Sequence, residues 1–157
     1  MRFISQKLKA NFFIKILGFT KIPLMLFCNP KIIEFDDEKV IVKIRLKRKT
    51  KNHLGSMYFG ALAVGADLAG GYLAFHHINK SGHNIKLIFK DFNAQFLKRA
   101  EGDVLFKCFD GDKIKSMIDS VIKTGERCSK EVNVVAFVPS KLNNEPAAKF
   151  KLTLSLK

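Results

Sequence analysis

Apolar and polar residues alternate in two stretches of the chain, which is the pattern of a β-strand with one buried face. In the first, Val40, Val42, Ile44 and Leu46 alternate with basic residues. In the last, five apolar residues from Ala148 to Leu156 alternate with lysine, threonine and serine. Segments rich in β-branched and aromatic residues predict three further strands. They are Ile85 to Leu97, Val104 to Phe109 and Val132 to Val138.

The first twenty residues instead show helical spacing. Apolar residues recur every four positions and have two more beside them: Ile4, Leu8, Phe12 and Ile16, with Phe13 and Leu17. Lys7 and Lys15 lie on the other face, so the segment predicts an amphipathic helix. The first interpretation is a helix packed on the domain. Attachment to a membrane surface or to an acidic protein is the second.

A shorter helix is predicted between two of the strands. Its apolar residues are Ile114, Met117, Ile118, Val121 and Ile122. Asp112 is the expected N-cap and Gly125 the expected stop.

A long helix of small residues is predicted to follow a turn between Asn52 and Gly60. Three glycines, at 65, 70 and 71, require a packing reason, because glycine destabilises a helix interior. The helix carries one carboxylate, Asp67, among large apolar neighbours that leave no wide polar face. Because burial of an unpaired carboxylate shifts its pKa, Asp67 is a candidate functional group. A solvated or paired aspartate is the alternative.

These elements predict one α+β domain of 157 residues. Strands joined by short connections favour an antiparallel sheet, and the long helix must pack on its concave face. Residues 1–30 form an N-terminal helical extension, and residues 31–157 form the core.

Composition narrows the partners and the compartment. The formal charge is +14, yet the lysines alternate through strands, which favours a solvated sheet face over a nucleic-acid site. Three cysteines without a CxxC spacing favour a reducing cytoplasm over disulfides or zinc. Lys15 and Lys21 interrupt the N-terminal apolar stretch, so we expect neither a signal peptide nor a membrane span. We expect no metal site at His76, His77 and His83, because adjacent helical side chains point about 100° apart.

The turn and helix resemble a known motif. Asn52, Gly55, Ser56, Gly60 and Asp67 fall without a gap on the pattern of the hotdog-fold acyl-CoA thioesterases of the phenylacetate-pathway type. The stretch from Phe92 to Asp103 is similar to the strand and turn that follow the helix in that family. An uncharacterised thioesterase-like hotdog group, which shares Phe59-Gly60 and an N-terminal amphipathic helix, is closer still. The resemblance covers residues 32 to 156.

The resemblance implies a hotdog fold, in which an antiparallel sheet wraps around a long central helix. It implies that the N-H of Phe59 or Gly60, with Asn52, polarises a thioester carbonyl. Asp67 would activate water or attack directly. The family forms dimers or tetramers with the site at the subunit boundary, so Asn52 and Asp67 would come from different chains. Tyr58 and Phe59 replace a histidine and a glycine of the phenylacetate type, and Phe89 stands where some members have serine or threonine.

The implied substrate is an acyl-CoA or an acyl-carrier-protein thioester. No cofactor is expected, since coenzyme A is part of the substrate. Tyr58 and Gly55 would border the substrate, and Lys98, Arg99 and Arg127 are the candidates for phosphate contacts. A non-catalytic protein that binds acyl-CoA or fatty acyl groups is the alternative function.

Overall fold

A computed structural model of the protein describes residues 2–157, with side chains from Gln6 onward. Six of the described strands form one antiparallel sheet in the spatial order β1-β2-β4-β5-β6-β3. The strands are β1 (Lys31–Phe35), β2 (Val40–Ile44), β3 (Leu87–Phe96), β4 (Val104–Cys108), β5 (Cys128–Phe137) and β6 (Pro146–Leu156). The predicted α+β class and antiparallel sheet are confirmed.

The helices are α1 (Arg2–Thr20), α2 (Pro23–Cys28), α3 (Phe59–Ser81), α4 (Gly111–Thr124) and α5 (Pro139–Leu142). The predicted long central helix is α3, which packs against the inner face of the sheet, chiefly on β2, β4 and β5. The short helices α2 and α5 were not predicted. Both begin with a proline, whose fixed φ and missing N-H suit the first position of a helix.

The sheet approaches α3 most closely at Gly65. A Cβ on this residue would overlap the ring of Phe106, a fully buried residue of β4. Ala66, Ala69 and Ala74 are also fully buried on α3. The packing reason expected for the glycines is therefore confirmed at Gly65. At Gly70 it is weaker, because a Cβ there would meet Val132 at an ordinary 3.4 Å.

Helix α4 corrects one prediction. Its N-cap is Asp110 and not Asp112, which lies in the first turn. The carboxylate of Asp110 accepts a hydrogen bond from the N-H of Asn133 on β5 (2.7 Å), a tertiary contact that fixes where the helix begins. The stop at Gly125 is confirmed, since this residue has φ of +69°.

Several strand limits also differ from the predicted ones. β2 ends at Ile44, two residues before Leu46, and the N-H of Leu46 donates to the carboxylate of Asp103 at 3.0 Å. The chain then enters a short 3-10 helix, Arg48–Thr50. β3 is shorter at both ends than Ile85 to Leu97. β5 starts at Cys128 instead of Val132.

The helix expected near the N-terminus is present, but it packs through another face. Ala10 and Ile14 are buried, and the ring of Phe13 stacks on Phe75 of α3 with 4.6 Å between centroids. Phe12 and Ile16, which were expected to be packed, are exposed. The fourfold apolar spacing thus marks the solvent face, and the side chain of Ile4 lies outside the described residues.

One edge of the sheet is covered by a helix, and the other is covered by none of the described helices. The side-chain amide of Asn11 on α1 accepts from the N-H of Ile32 (2.9 Å) and donates to its carbonyl (3.0 Å), so α1 covers the β1 edge. β3, at the other edge, pairs with β6 alone among the described strands. Its inner face exposes Phe89, Phe92 and Phe96. An uncovered strand of this kind is a template for pairing with another chain.

We expect Gly65→Ala to lower the free energy of unfolding by about 1–3 kcal/mol, because the new methyl group must displace Phe106 or the backbone. Gly70→Ala is the matched control. It should be neutral or raise stability by up to about 1 kcal/mol, since alanine is the better helix former. Urea unfolding measures both. Equal stability of the two variants would contradict the close approach at Gly65.

Candidate functional site

A tight turn leads the chain into α3. The carboxamide oxygen of Asn52 accepts from the N-H groups of Leu54 (2.9 Å) and Ser56 (3.1 Å). Its nitrogen donates to the hydroxyl of Ser56 at 3.0 Å. Gly55 has φ of +81°, a conformation that disfavours any residue with a side chain. The structure thus assigns Asn52 and Gly55 a role in building the turn.

Backbone hydrogen bonds hold the residues just before α3 in a fixed position. The N-H of Met57 donates to Ala100 O, and that of Tyr58 donates to Thr50 O, each at 2.8 Å. Tyr58 is the N-cap but makes no side-chain capping bond. The N-H groups of Phe59 and Gly60 have no hydrogen-bond acceptor among the described backbone and side-chain groups. The positive end of a long helix dipole is therefore open to a ligand.

A cleft of about 490 Å³ surrounds this helix start. Its lining includes Asn52, Tyr58, Phe59, Phe96, Leu97, Lys98 and Arg99. The rings of Tyr58 and Phe59 are exposed, with 4.7 Å between centroids. The cleft thus joins main-chain donors to an apolar surface.

The three candidates for phosphate contacts, Lys98, Arg99 and Arg127, do not all lie at the same cavity. Lys98 and Arg99 line the cleft, although Lys98 pairs with Glu145, and Arg99 pairs with Glu101 at 3.1 Å. Arg127 lies immediately before β5 and donates to the hydroxyl of Ser155 at 2.9 Å. It does not line the cleft at the helix start.

Asp67 lies in a second cavity, of about 190 Å³, between α3, β3 and the N-terminal helices. Apart from Asp67 and Tyr72, the side chains that line this cavity are all apolar. They are Phe13, Ile14, Leu17, Ile22, Met25, Leu68, Phe75, Leu87 and Phe89, and Gly71 contributes backbone. Phe89 packs over Gly71, one turn after Asp67, where a Cβ would lie 3.2 Å from the ring.

The surroundings of Asp67 change its acidity. The carboxylate is half-buried, and it makes no hydrogen bond or ion pair with any described residue. Desolvation by burial raises the pKa of Asp67 above its ordinary value. Burial likewise raises the pKa of Tyr72 to about 12. Asp67 is therefore an unpaired carboxylate with a strengthened affinity for protons, as expected of a general base or acid.

The turn and the carboxylate stay apart within one protomer. Asp67 follows Phe59 by eight residues, about 12 Å along the helix axis. Asn52 and Phe59 line the cleft at the helix start, next to Gly60 in the chain, whereas Asp67 lines the other cavity. Within one chain, the two groups therefore line separate cavities.

The histidines serve the fold. The Nε2 atom of His76 contacts the carboxylate of Asp37 at 3.0 Å, and Nε2 of His77 contacts the Asp37 carbonyl at 2.7 Å. The rings thus reach the same residue, although at different atoms. Lys80 and His76 lower the pKa of Asp37 to about 2. No three His, Cys, Asp or Glu side chains within the described part of the chain group as a metal site.

The sequence did not predict that residues of α1 and α2 enclose the cavity of Asp67. Ile22 and Met25, at and within α2, line the cavity beside Phe13 and Leu17 of α1. α2 is only six residues long, so it carries no clear periodic signal. The opening proline of α2 is the one local cue that could have indicated it.

Solved structures share this architecture. A protein of unknown function from Chlorobaculum tepidum superposes with a TM-score of 0.82 at 13% identity, over 96% of this chain and 95% of that one. A candidate thioesterase from Shewanella oneidensis gives 0.76 at 15% identity, over 94% and 96%. Zebrafish thioesterase superfamily member 2 gives 0.69 at 14% identity, over 96% and 98%.

The chain therefore has the hotdog fold that these structures share. Within that fold, the chain belongs to the family described as a domain of unknown function, DUF4442, whose model matches residues 11–136. No curated protein matches the sequence. The resemblance to the phenylacetate-pathway type holds at the level of this fold.

We expect Asp67→Asn to raise the melting temperature at neutral pH. A raised native pKa means that the folded state binds the proton more tightly than the unfolded state, so ionisation costs stability as pH rises. That cost is absent below about pH 4, the ordinary range of a carboxyl group, and is complete above the raised pKa.

Melting curves of wild type and Asp67→Asn between pH 4 and pH 8 measure this effect. The gap should widen with pH, because the other carboxylates are common to both proteins and cancel in the difference. A gap that is constant or that narrows with pH would contradict an unpaired, desolvated Asp67.

Proposed function

We propose that the protein hydrolyses an acyl thioester of coenzyme A or acyl carrier protein, at a site completed by a second copy of the chain. The observation that carries the proposal is Asp67, an unpaired carboxylate of raised pKa in an apolar cavity on the central helix. The open N-H groups at the start of the same helix supply the second requirement, a place for developing negative charge.

The exposed edge strand favours joining the two half-sites, the Asp67 cavity and the cleft at the helix start. If β3 pairs with its copy about a two-fold axis, the strands run antiparallel, and the Leu87 end of one lies opposite the Phe96 end of the other. Leu87 and Phe89 line the Asp67 cavity, while Phe96 and Leu97 line the cleft at the helix start. Such a dimer would place Asp67 of one protomer beside the cleft of its partner.

The chemistry then follows the two half-sites. The thioester carbonyl oxygen would accept from the N-H of Phe59 or Gly60, assisted by Asn52, while Tyr58 and Gly55 border the substrate. Asp67 takes a proton from water, the hydroxyl oxygen attacks the carbonyl carbon, and the carbon-sulfur bond breaks. The thiolate leaves and accepts the proton, so the products are a carboxylic acid and a thiol. Lys98 and Arg99 are the basic groups nearest to the incoming substrate.

A binding protein without hydrolysis is the second candidate, and Phe89 favours it. This ring lines the cavity of Asp67 and provides no hydroxyl to hold a water molecule. In that case the Asp67 cavity would hold an acyl group, and no thiol would be released.

Asp67→Asn should lower hydrolysis of acyl-CoA about 10²- to 10⁴-fold, because it removes the general base and keeps the shape. Asn52→Ala should lower it by up to about 10³-fold if the amide also assists the carbonyl oxygen. Thiol release from a panel of acyl-CoAs measures both, and calorimetry measures binding. Asp119→Asn, an exposed residue of α4, is the matched control. A fully active Asp67→Asn would refute the mechanism, and a wild type that binds without turnover would favour the binding protein.

Mixing the two variants tests the shared site. After unfolding and refolding together in equal amounts, about half of the dimers contain one chain of each kind. If Asp67 and Asn52 come from different chains, each mixed dimer has one intact site, and total activity should recover to about a quarter of wild type. A mixture no more active than its parents, with exchange verified by mass, would refute the two-chain site.

A further inference from the structure

The N-terminal helices carry an apolar surface that nothing in the described chain covers. Leu8, Phe12, Ile16 and Phe19 form one row along α1, opposite its packed face, and are 66%, 65%, 44% and 79% exposed. We name this row the apolar ridge. α2 adds Leu24 and Phe27, both more than half exposed. α1 is thus apolar on two opposite faces, and only one is satisfied by the fold.

The same segment is strongly basic. Residues 1–33 contain six basic residues and no aspartate or glutamate: Arg2, Lys7, Lys9, Lys15, Lys21 and Lys31. At 100° per residue, Lys9 and Lys15 flank the apolar ridge on α1, which corrects the expectation that Lys15 lies on the face opposite Leu8 and Phe12. Large apolar side chains bordered by lysines characterise helices that lie in the interface of an anionic membrane.

A basic pocket adjoins the end of α2. It has a volume of about 230 Å³, and its lining holds five cationic side chains and no acidic one: Lys31, Lys43, Arg45, Lys47 and Lys49. Lys43 pairs with Asp103 at 2.9 Å, but the other four make no ion pair with any residue from 2 to 157. The ammonium group of Lys49 lies 5.2 Å from the ring centroid of Phe27, so the pocket and the apolar side chains are neighbours.

We propose that α1 and α2 dock this protein on an anionic lipid bilayer, with the apolar ridge in the acyl boundary and a lipid phosphate in the basic pocket. Charge complementarity selects this occupant. A second copy would bring two chains of formal charge +14 together through their lysine-rich segments, which electrostatic repulsion opposes. A neutral apolar partner would leave the unpaired cations of the pocket without a counter-ion.

The helices would lie on the bilayer surface. No helix of the described chain is long and apolar enough to cross a membrane. α1 is 19 residues long, about 28 Å, and its packed face is fixed to the domain by Phe13, Ile14 and Asn11. Docking therefore needs no rearrangement of the core, because the ridge already faces outward.

Sedimentation with vesicles tests the proposal. The full-length protein is mixed with vesicles of phosphatidylcholine and phosphatidylglycerol in equal parts, or of phosphatidylcholine alone. We expect at least tenfold stronger binding to the anionic vesicles. No binding to the anionic vesicles, or equal binding to both kinds, would overturn the proposal.

Two pairs of variants test the surface itself. Phe12→Ser with Phe19→Ser should lower vesicle binding at least tenfold, whereas Phe109→Ser, 63% exposed outside this segment, should leave it unchanged. Lys47→Glu with Lys49→Glu should also lower it at least tenfold, because each cation at an anionic surface contributes about fivefold. Lys115→Glu with Lys123→Glu, on the exposed side of α4, is the charge control.

Three controls separate this proposal from the others. Melting temperatures of the four variants should match wild type, since all the substituted side chains are exposed. Hydrolysis of a short, soluble acyl-CoA should be unaffected, so failure of the proposed catalysis and failure of docking give different results. Undiminished vesicle binding by the ridge variant, or loss of self-association in that variant, would overturn the proposal and assign the ridge to another contact.

Discussion

The sheet can close around α3 only because the helix is narrow where Phe106 meets it. Six of the eleven buried residues of α3 are alanine or glycine, and Gly65 leaves the space that the ring of Phe106 fills. Because α3 sits so deep, its side chains face protein over most of the circumference. A carboxylate on such a helix cannot reach bulk water freely, and Asp67 accordingly acquires a raised pKa. The desolvation that raises the pKa of Asp67 thus follows from how deeply the narrow helix is packed in the sheet.

The N-terminal helices connect two regions that would otherwise be independent. Phe13 and Leu17 on one face of α1 enclose the Asp67 cavity, and Phe12 on the opposite face belongs to the apolar ridge. One helix therefore carries both a wall of the Asp67 cavity and the apolar ridge. This arrangement gives the extension a role in the site as well as in the fold.

The fold could be predicted from sequence to a large extent, because its signals are local. Alternation predicted β2 and β6, and β-branched and aromatic residues predicted β3, β4 and β5. Small residues and Asp67 predicted α3, and Gly125 ended α4 through its own backbone preference. The errors came from tertiary contacts. Asp110 and Asp112 are equally suitable caps by composition, and the contact of Asp110 with Asn133 decides between them. The fourfold spacing of Leu8, Phe12 and Ile16 showed a helix but could not show which face of a doubly apolar helix is buried.

The candidate site was predicted less completely. The positions of Asp67 and of the open helix start follow from the motif, and the structure places both on α3. The hydrogen bonds of Asn52 within its own turn could not be anticipated, because they depend on the path of four residues. The basic pocket is lined by residues of β1, β2 and the 3-10 helix, so no single stretch of sequence could predict it.

The amide of Asn11 has a consequence for how large an assembly can become. Its two hydrogen bonds occupy the outward donor and acceptor of Ile32 on β1, as a further strand would. The sheet is left with one edge that can accept a neighbour, at β3. A protomer with one free sheet edge can pair with only one neighbour through its strands, whereas a protomer with two free edges can grow into a filament. One side chain on an accessory helix thus blocks the addition of a strand beside Ile32.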